Sequence, residues 1–570
     1  MSIIKQNIKR KLTKIIGMVE KLQTEPVDFV FEVCFEACNK VGGIYTVVSS
    51  KAKRMKENFK NFIIIGPDYR EKQNQEFKEK RTPKKFETIF SKLEKEGIKC
   101  RFGTWLIDGE PDTILIETKN YAYALDGLKK EYWEKFKIDS LNAGWDFFEP
   151  MLWSTAAGKL IEYFEQENSD DKIIAHFHEW IAGFGLLLLK IANSNAKTVF
   201  TTHATMLGRT ISGTGKRLYD ILDEINPEEE AKNHGVIDKF STERACANNS
   251  DIFTTVSEIT GLEAEKILGR KPEPIVFNGL DLREFPEKDE LSKIRTETRD
   301  LIIEVLESAT SIKLKEEIDN TRIFFTSGRY EFRNKGIDLF IESLGKMNSE
   351  LKNSDCNKKV IALFLIPNGW TEINKELQEN IIKIRENREV FFEEKKNRIL
   401  CTHNLTNPDD NIVNALNNEN LTGEDSRIIP LVIPIYLGKE DQFFNKDYYE
   451  IAAGCDAGVF ASYYEPWGYT PPESLAVAVP TITSDLAGFG RYIKNINKQG
   501  EYMGVINRFD NDNKSIDELK YFLWNIVNKD INFDDRFASC RDIVNNTEWK
   551  DFIEKYLEAY KLATSNSKNK

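Results

Sequence analysis

The stretch KIIAHFHEWIAGFGLLLLKIANSNAKTVFTTHAT, residues 172–205, decides the fold class of this chain. KIIAHFHEW at its start and KTVFTTHAT at its end each begin with a short apolar run that is typical of a buried strand. The run AGFGLLLLKIA between them is long enough for a helix. A strand, a helix and a second strand in this order predict parallel strands that are covered by helices.

The same alternation continues along the chain and restarts after a charged helical stretch at about residues 286–320. DFVFEVCFEA and NFIIIGPDY precede that stretch, and RIFFTSGRY, KVIALFLIP and DAGVFASYY follow it. A chain of 570 residues exceeds the roughly 250 to 300 residues at which a single core stops growing. We therefore predict an α/β protein with two doubly wound parallel-sheet domains, residues 27–285 and 286–545.

The composition favours a globular protein in a reducing compartment. The net charge is −12 and the pI is about 5.4, and no stripe rich in lysine and arginine offers a face for nucleic acid. The eight cysteines are scattered and form no CxxC motif, as expected of free thiols. We predict a cytoplasmic protein that binds no nucleic acid.

Residues 1–26 contain an amphipathic pattern. Apolar residues with lysines between them recur there at helical spacing: Ile4, Ile8, Leu12, Ile15, Val19 and Leu22. The pattern predicts a helix that docks on the protein or on a partner chain, with a membrane surface as the less favoured alternative. The longest apolar run, GFGLLLLKIA, has half the length needed to span a bilayer, so we predict a soluble protein.

Two motifs near predicted strand ends contain glycine or histidine. Gly42 and Gly43 in NKVGGIYTV open a helix, where backbone N–H groups attract an anion. A tight turn without a ligand explains the two glycines equally well.

The second motif is a pair of histidines. His176 and His178 point the same way if their strand continues. Because a metal site needs a third ligand and the chain has five histidines, we favour packing or hydrogen bonding over a metal.

Two further strand ends contain cations. His203 ends the strand in TTHATMLGR, and Arg209 follows six residues later. If they face a cleft, His203 and Arg209 would bind sugar hydroxyl groups and phosphate, although a purely structural role for His203 is an equal alternative.

Arg329 and Lys335 lie in the loop SGRYEFRNKG. An arginine fork and a mobile lysine suit a diphosphate, whose departure they would stabilise without a metal; the alternative is a solvated basic loop.

The stretch YYEPWGYTPPES follows the predicted strand DAGVFASYY. Thr470 is expected to cap a helix whose first turn contains proline. The N–H groups around Gly468, Tyr469 and Thr470 would then form a cradle for an anion.

Two carboxylates flank this turn. Glu465 lies at the strand end. Glu473 lies in the first helical turn, where it would bind ribose hydroxyl groups or merely complement the helix dipole. Because ligands bind beyond the carboxyl ends of parallel strands, these motifs together predict a nucleotide-sugar site between two α/β domains.

At these motifs the chain resembles the glycogen synthases of the animal and fungal type, glycosyltransferase family 3. The resemblance covers most of the chain and rests on EVCFEACNKVGGIYTV, AHFHEWIAGFGL, FTTHATMLGR, FTTVSEIT, GRYEFRNKGIDLFIESL, CTHNL and SYYEPWGYTPPES. It implies the GT-B architecture, in which the active site lies in the cleft between two Rossmann-like domains. The first domain then faces the acceptor, the second binds the nucleotide sugar, and a last helix, residues 546–570, returns to the first.

The resemblance also implies a reaction. Glucose passes from UDP-glucose to the nonreducing-end 4-hydroxyl group of an α-1,4-glucan such as glycogen, with retained configuration and without a metal or other cofactor. The expected partners are the glucan, the nucleotide sugar and further copies of the chain, with no membrane.

Roles follow from the resemblance residue by residue. Arg329 and Lys335 match the cations that contact the donor phosphates. Glu465 matches the carboxylate beside the transferred glucose, and His203 matches a histidine near the sugar's hydroxyl groups. These four are the expected catalytic residues. The expected donor-binding residues are Gly42, Gly43, Arg209, Asn278, Trp467, Gly468, Tyr469, Thr470 and Glu473.

Departures from the family concern regulation and assembly. Its members bind glucose 6-phosphate through a run of arginines before the last helix, whereas this chain has only Arg536 and Arg541 there. The helical excursion that assembles their tetramers looks shortened at about residues 370–400, and the chain ends without their phosphorylatable tail. We therefore expect little or no activation by glucose 6-phosphate.

Several alternatives stay open on the sequence alone. ADP-glucose is a second candidate donor, because no residue here reads the base. Another enzyme of the same architecture, or a glucan-binding scaffold without catalysis, would share the fold. Glu465 is the only candidate for a carboxylate nucleophile, and the sequence leaves open whether it attacks the sugar or stabilises charge.

Overall fold

The computed structural model describes most of the chain. The described residues are 27–70, 75–310, 312–386, 388, 390, 398–530 and 532–565. The helix predicted for residues 1–26 lies outside them.

A mixed, mainly parallel sheet forms the centre of the first domain. Its strands are β1 (Phe29–Val33), β2 (Phe62–Pro67), β3 (Phe77–Glu79), β4 (Lys99–Trp105), β5 (Asp112–Glu117), β6 (Ile173–His178), β7 (Lys197–Thr202) and β8 (Ile252–Thr255). The spatial order is β3-β4-β5-β2-β1-β6-β7-β8. From β5 to β8 in this order all neighbours pair in parallel, and the pairs β3–β4 and β4–β5 at one edge are antiparallel. Strands such as FIIIGP are buried along their whole length because helices cover both faces.

Helices surround this sheet. In the described part of the chain they are α1 (Gly43–Asn58), α2 (Lys84–Lys95), α3 (Leu125–Phe136), α4 (Trp145–Glu167), α5 (Glu179–Ile191), α6 (Met206–Gly213), α7 (Leu218–Ile221), α8 (Pro227–Asn233), α9 (Ile237–Asn249) and α10 (Glu258–Leu268). Short 3₁₀ helices cover Lys119–Ala124 and Leu282–Glu284.

The second domain contains a fully parallel sheet. Its strands are β9 (Thr321–Ser327), β10 (Lys359–Leu365), β13 (Ile428–Ile433), β14 (Ala457–Phe460), β15 (Thr481–Ser484) and β16 (Met503–Ile506), in the order β13-β10-β9-β14-β15-β16. A separate antiparallel pair consists of β11 (Trp370–Ile373) and β12 (His403–Leu405). The two sheets confirm the prediction of two doubly wound α/β halves.

The described helices of the second half begin within the charged stretch at residues 286–320. They are α11 (Lys288–Ala309), α12 (Ile337–Asn353), α13 (Lys375–Arg385), α14 (Asn411–Asn418), α15 (Tyr448–Ala453), α16 (Thr470–Ala476), α17 (Gly488–Asn495), α18 (Asp512–Asn528), α19 (Phe533–Val544) and α20 (Trp549–Ser565), with 3₁₀ helices at Lys315–Asn320 and Asn545–Thr547. No helix among the described residues is long and apolar enough to cross a membrane.

The chain passes between the halves at two adjacent segments. Leu280 N–H donates to the carbonyl oxygen of Thr547 at 2.9 Å, so the outgoing and returning segments lie side by side. The last helix, α20, then packs on α1, and Trp549 Nε1–H donates to Ser50 Oγ at 2.8 Å. The Tyr560 hydroxyl of α20 contacts His176 Nδ1 at 2.9 Å.

Each sheet has one point where the strand order reverses. In the first sheet β1 lies between β2 and β6, and in the second β9 lies between β10 and β14. Ligands bind doubly wound sheets beyond the carboxyl ends of the strands at such points. The loops after β1, β6 and β7, and those after β9 and β14, contain most of the predicted site residues.

Candidate active site

Lys335 and Glu465 meet at the reversal point of the second sheet. Lys335 lies in the loop after β9 and Glu465 in the loop after β14, and Lys335 Nζ forms an ion pair with Glu465 Oε2. The side chains are 14% and 20% exposed, so the pair is largely sheltered from water. Gly336 permits this approach, because its φ is +67° and a Cβ there would lie 2.0 Å from the carbonyl oxygen of Ala461.

The turn between Glu465 and α16 is built on Gly468. Its φ is +93°, a conformation that favours glycine, and a Cβ there would lie 3.0 Å from Glu465 Cγ. The expectation that Thr470 caps α16 is wrong. The residue before the helix is Tyr469, and Thr470 is the first helical residue, followed by two prolines. Tyr469 already has helical dihedral angles, and no side chain caps this end.

Trp467 does not face the cleft. Its side chain is buried in an aromatic cluster with Phe277, Tyr492 and Phe552, at ring distances of 5.5, 6.0 and 5.9 Å. We therefore correct the assignment of Trp467 to donor binding. Because Phe552 belongs to α20, the indole fixes the returning helix against the Gly468 turn.

Glu473 lies in the first turn of α16 and accepts a hydrogen bond from the Tyr449 hydroxyl at 3.1 Å. Burial raises the pKa of Glu473 to about 7, against the smaller opposing effect of Tyr449. The carboxyl group therefore changes charge near neutral pH.

Arg329 is placed apart from the Lys335–Glu465 pair. Its guanidinium is 60% exposed and pairs with Glu331 at 2.9 Å in the same loop. The structure brings Lys335 and Glu465 together and leaves Arg329 at the solvent-exposed side of the loop.

The loop that contains His203 is held by buried glutamates. Glu179 Oε1 accepts the N–H groups of His203 and Ala204 at 2.7 and 3.2 Å. Glu263 Oε1 accepts Thr205 N–H at 3.2 Å, and Glu243 Oε2 accepts Met206 N–H at 3.0 Å. The backbone N–H groups of four consecutive residues after β7 thus donate hydrogen bonds to three buried carboxyl groups.

These carboxyl groups are costly to ionise. Burial raises the pKa of Glu179 and Glu263 to about 7 and that of Glu243 well above its usual range. Glu179 also has a φ of +68°, a strained conformation for a residue other than glycine. Our sequence analysis missed all three residues. The only signal was the position of Glu179, directly after His178.

A chain of polar side chains connects His203 to the interior. His178 Nδ1 lies 3.0 Å from His203 Nε2, and His178 Nε2 lies 2.6 Å from Glu32 Oε1. Lys51 Nζ forms an ion pair with the same Glu32 oxygen, and both of these side chains are fully buried. The sequence analysis missed Glu32 and Lys51, although a glutamate inside the apolar run FVFEV was a visible anomaly.

Glu32, His176 and His178 lie close enough to share a metal ion. The ring nitrogens of both histidines already have protein partners: His176 contacts Tyr560 and Thr201 at 2.9 and 2.7 Å, and His178 contacts His203 and Glu32 at 3.0 and 2.6 Å. The ammonium group of Lys51 also occupies the Glu32 oxygen that faces His178. The set fits an internal hydrogen-bond network better than a metal site.

The glycine pair lies where predicted, but a protein carboxylate occupies one of its amides. Gly42 N–H and Tyr45 N–H both donate to Glu36 Oε2 at 2.8 Å, at the start of α1. Gly43 has open space around its α-carbon. An anionic ligand at Gly42 would have to displace Glu36.

Two further predicted donor-binding residues, Asn278 and Arg209, differ in exposure. Asn278 is buried, and its Oδ1 has no hydrogen-bond partner among the described residues, which leaves an acceptor for a ligand or water. Arg209 is exposed on α6, where its charge lowers the pKa of Glu36 and Glu179 against the larger effect of burial.

Direct contacts connect the two halves beside the site. The Tyr464 hydroxyl, adjacent to Glu465, donates to Glu263 Oε1 at 2.8 Å. Since Glu263 also holds Thr205, this carboxyl group joins the Glu465 loop to the His203 loop. The Arg217 guanidinium donates to three consecutive carbonyl oxygens, residues 508–510.

Sequence comparison places these features in a known context. A family model described as "Glycogen synthase" matches residues 32–395 and 372–568 of this chain. The glycogen [starch] synthase of Caenorhabditis elegans is 32% identical over 530 residues, which cover 84% of this chain and 78% of the worm protein. Isoform 1 of the glycogen [starch] synthase of Saccharomyces cerevisiae is 31% identical over 610 residues, covering 94% and 85%.

Structural comparison supports the fold. The catalytic domain of starch synthase IV from Arabidopsis thaliana, bound to ADP and acarbose, has a TM-score of 0.55 and 16% sequence identity to this chain. The match covers 95% of this chain and 100% of the plant domain. This likeness confirms the predicted GT-B architecture.

Proposed function

The chain belongs to the glycogen synthase family and is a glycosyltransferase, and on this premise we propose that it transfers glucose from UDP-glucose to an α-1,4-glucan. The acceptor is the 4-hydroxyl group at the nonreducing end of glycogen or a similar glucan. The bond between glucose C1 and the diphosphate oxygen breaks, and a bond from C1 to the acceptor oxygen forms with the configuration retained. The acceptor's proton passes to the leaving phosphate.

The contact between Lys335 and Glu465 carries this proposal. It places a cation and a carboxylate at the reversal point of the second sheet, where a glycosyl phosphate would present both of its developing charges. As the bond breaks, negative charge grows on the diphosphate and positive charge grows on the sugar ring. Preorganised opposite charges at these two positions stabilise such a transition state more than the ground state.

Each cation has a separate task in this proposal. Lys335 is sheltered and stabilises the leaving phosphate oxygen after it turns from Glu465. Arg329 is exposed and exchanges Glu331 for the diphosphate. Two cations supply the charge for which other glycosyltransferases use a metal ion, so we propose a reaction that is independent of metal.

The remaining residues bind the sugar and the ribose. His203 contacts a hydroxyl group of the transferred glucose, and Glu473 accepts hydrogen bonds from the ribose. Glu465 stabilises charge at C1 on a front-side path or attacks C1 as a nucleophile; trapping of a glucosyl-enzyme adduct in an acceptor-free reaction decides between these roles. A glucan-binding scaffold without catalysis would need neither the Lys335–Glu465 pair nor Glu473.

The donor nucleotide is tested directly by kinetics. We expect initial rates of glucose incorporation into glycogen to be higher with UDP-glucose than with ADP-glucose, and to be unchanged by EDTA. ADP-glucose is the second candidate, since the starch synthase of similar fold holds ADP. A higher kcat/KM with ADP-glucose, or loss of activity in EDTA, would overturn the corresponding part of the proposal.

The cellular setting belongs to the same proposal. The eight cysteines are free thiols, as suits a cytoplasmic enzyme. We also propose that the protein assembles from several copies, on the strength of the family resemblance. Size-exclusion chromatography with light scattering measures the assembly state.

A further inference from the structure

We propose that Glu32 and His178 act as positioning residues that fix His203 in the tautomer with a protonated Nε2 and a bare Nδ1. The structure thereby assigns to His203 the role of a hydrogen-bond acceptor toward the cleft. The inference rests on the proposed function in one respect, namely that His203 faces the substrate.

The argument begins with the Glu32 carboxylate, which is ionised. Burial favours the neutral carboxyl group, but Lys51 and His178 together outweigh burial and hold the pKa of Glu32 at about 2. An ionised carboxylate only accepts hydrogen bonds. His178 Nε2, 2.6 Å from Glu32 Oε1, must therefore carry a proton.

The second step concerns the charge of His178. The ring is fully buried, and it lies near the Lys51 ammonium group, which disfavours a second positive charge. Burial and Lys51 lower the pKa of His178, although Glu32 acts in the opposite direction. A neutral imidazole has one N–H group, so His178 Nδ1 is an acceptor.

The third step transfers this constraint to His203. Its Nε2 lies 3.0 Å from His178 Nδ1, and two ring nitrogens at this distance share one proton. Since His178 Nδ1 is bare, the proton belongs to His203 Nε2. Burial lowers the pKa of His203 well below its usual value, with His178 and Lys51 acting in the same direction. His203 Nδ1 is then bare, and it has no hydrogen-bond partner in the part of the chain that the structure describes.

The backbone around His203 keeps the ring in this position. His203 N–H donates to Glu179 and Thr205 N–H donates to Glu263, so the backbone of the loop is fixed. The contact of His203 Nε2 with His178 then leaves Nδ1 as the nitrogen free for a ligand. A bare nitrogen accepts a hydrogen bond from a hydroxyl group and repels the lone pairs of a phosphate oxygen. The hydrogen-bonded series Glu32–His178–His203, which we call the relay, thus suits His203 to a sugar hydroxyl group. Phosphate binding then falls to Arg329 and Lys335.

Nitrogen NMR tests the tautomer without any measurement of activity. The protein has five histidines, so ¹⁵N-histidine labelling and long-range ¹H–¹⁵N correlation give few signals, which histidine-to-glutamine variants assign. We expect wild-type His203 to show protonated Nε2 and bare Nδ1 from pH 6 to pH 8. A protonated Nδ1, as either the other tautomer or an imidazolium, would overturn the proposal.

Glu32→Gln tests the origin of the constraint. A glutamine amide donates to His178 Nε2 as readily as it accepts, so we expect both His203 tautomers to become populated. Glu243→Gln is the matched control, because Glu243 holds the same loop through Met206 but touches no imidazole, and it should leave the His203 signals unchanged. If Glu32→Gln fails to fold with Lys51 left unpaired, Glu32→Gln with Lys51→Met restores the charge balance. An unaltered tautomer in a folded Glu32 variant would remove Glu32 from the relay.

Substitution of His203 tests the consequence for the substrate. Asparagine places an acceptor oxygen where Nδ1 lies, whereas glutamine reaches only toward the position of Nε2. We expect His203→Asn to retain roughly tenfold more kcat/KM than His203→Gln, the equivalent of one hydrogen bond. Equal or better activity of His203→Gln would overturn the acceptor role. Full activity of His203→Ala, together with the expected tautomer, would instead contradict the proposed contact between His203 and the sugar.

Discussion

Lys335 Nζ lies in direct contact with Glu465 Oε2, so the cation assigned to the leaving phosphate and the carboxylate assigned to the transferred sugar neutralise each other. Sheltered ion pairs hold their partners in place, and removal of one partner leaves the other charge uncompensated. Each residue therefore sets the position of the other, in addition to the contact with substrate that we propose for it. Substitutions at these two positions should show the coupling.

The first prediction concerns Glu465→Gln. The amide keeps the shape of the side chain but cannot stabilise a positive sugar ring, so turnover should fall by orders of magnitude. Donor affinity should stay within a few-fold of wild type or improve, because Lys335 is released for the diphosphate. Calorimetry with UDP-glucose and initial rates measure the two effects. Near-normal turnover of Glu465→Gln would remove Glu465 from the catalytic residues.

The second prediction concerns the two cations. Arg329→Ala and Lys335→Ala should each cost about 2–4 kcal/mol of transition-state stabilisation, as for the loss of one preorganised donor. The loss should appear in kcat/KM, and added magnesium or manganese should not restore it. Arg333→Ala is the matched control, since Arg333 lies in the same loop, is 61% exposed and faces Asp338. Wild-type kcat/KM in either variant would contradict the proposed role of that cation in stabilising the leaving diphosphate.

The fold and part of the site could be predicted from the sequence for a simple reason. Buried parallel strands such as FIIIGP and RIFFTS are continuous apolar runs, and the loops after them contain unusual residues. Lys335 and Glu465 were predicted because they lie at strand ends. Their direct contact was not, because it depends on the spatial order of β9 and β14, which local periodicity does not contain.

Residues whose role depends on tertiary contacts were not predicted from the sequence. Glu179, Glu243 and Glu263 are far apart in the chain and come together only when the three helices that contain them, α5, α9 and α10, pack beside the end of β7. Trp467 was misassigned for the opposite reason. Its place in the motif YYEPWGYTPPES indicated a ligand, whereas the side chain packs against Phe552, which is distant in sequence.

The third prediction concerns the buried carboxyl group of Glu263. Its pKa is raised by burial from 4.5 to about 7, so the folded protein holds this proton over a range in which the unfolded chain releases it. The free energy of unfolding therefore falls as pH rises from about 4.5 to 7, by roughly 3 kcal/mol for this group. Glu263→Gln removes this dependence, and its Tm relative to wild type should increase between pH 5 and pH 8.

Tyr464→Phe is the control for this experiment. It removes the hydroxyl group that donates to Glu263 across the two halves but keeps the titrating carboxyl group. Its Tm should be lower than that of wild type and should still fall with pH. Because the Tyr464 hydroxyl lowers the pKa of Glu263, this fall should extend to higher pH than in wild type. A Tm difference between Glu263→Gln and wild type that does not change with pH would show that Glu263 does not titrate in this range.

The fourth prediction concerns ribose binding by Glu473. Burial raises its pKa to about 7, and the ionised form is the better acceptor for hydroxyl groups. The KM for UDP-glucose should therefore fall as pH rises from 6 to 8. Glu473→Gln should weaken donor binding and flatten this change, and Tyr449→Phe should shift its midpoint upward, since Tyr449 favours the ionised form. An unchanged pH profile in Glu473→Gln would argue against ribose binding by Glu473.

The last prediction concerns regulation by glucose 6-phosphate. A dianionic sugar phosphate binds where several free guanidinium groups converge. Arg536 is not free, because it is buried and donates to the carbonyl oxygens of Ala478 and Cys455, both at 2.6 Å, and to Asp456 at 3.3 Å. Arg541 donates to the carbonyl oxygen of Pro286 at 2.7 Å. The two arginines that the sequence offers thus hold α19 against the rest of the second domain.

A ligand shifts a conformational equilibrium only through a difference in its affinity for the two states. With Arg536 and Arg541 engaged in the fold, this stretch of the chain offers glucose 6-phosphate no pair of free guanidinium groups, and we expect little or no activation. The measurement is an activity titration at UDP-glucose concentrations below KM, with glucose 6-phosphate raised to millimolar levels. Arg541→Ala should respond in the same way as wild type. A several-fold, saturable rise in rate would overturn the prediction, and its loss in Arg541→Ala would assign that residue to an effector site after all.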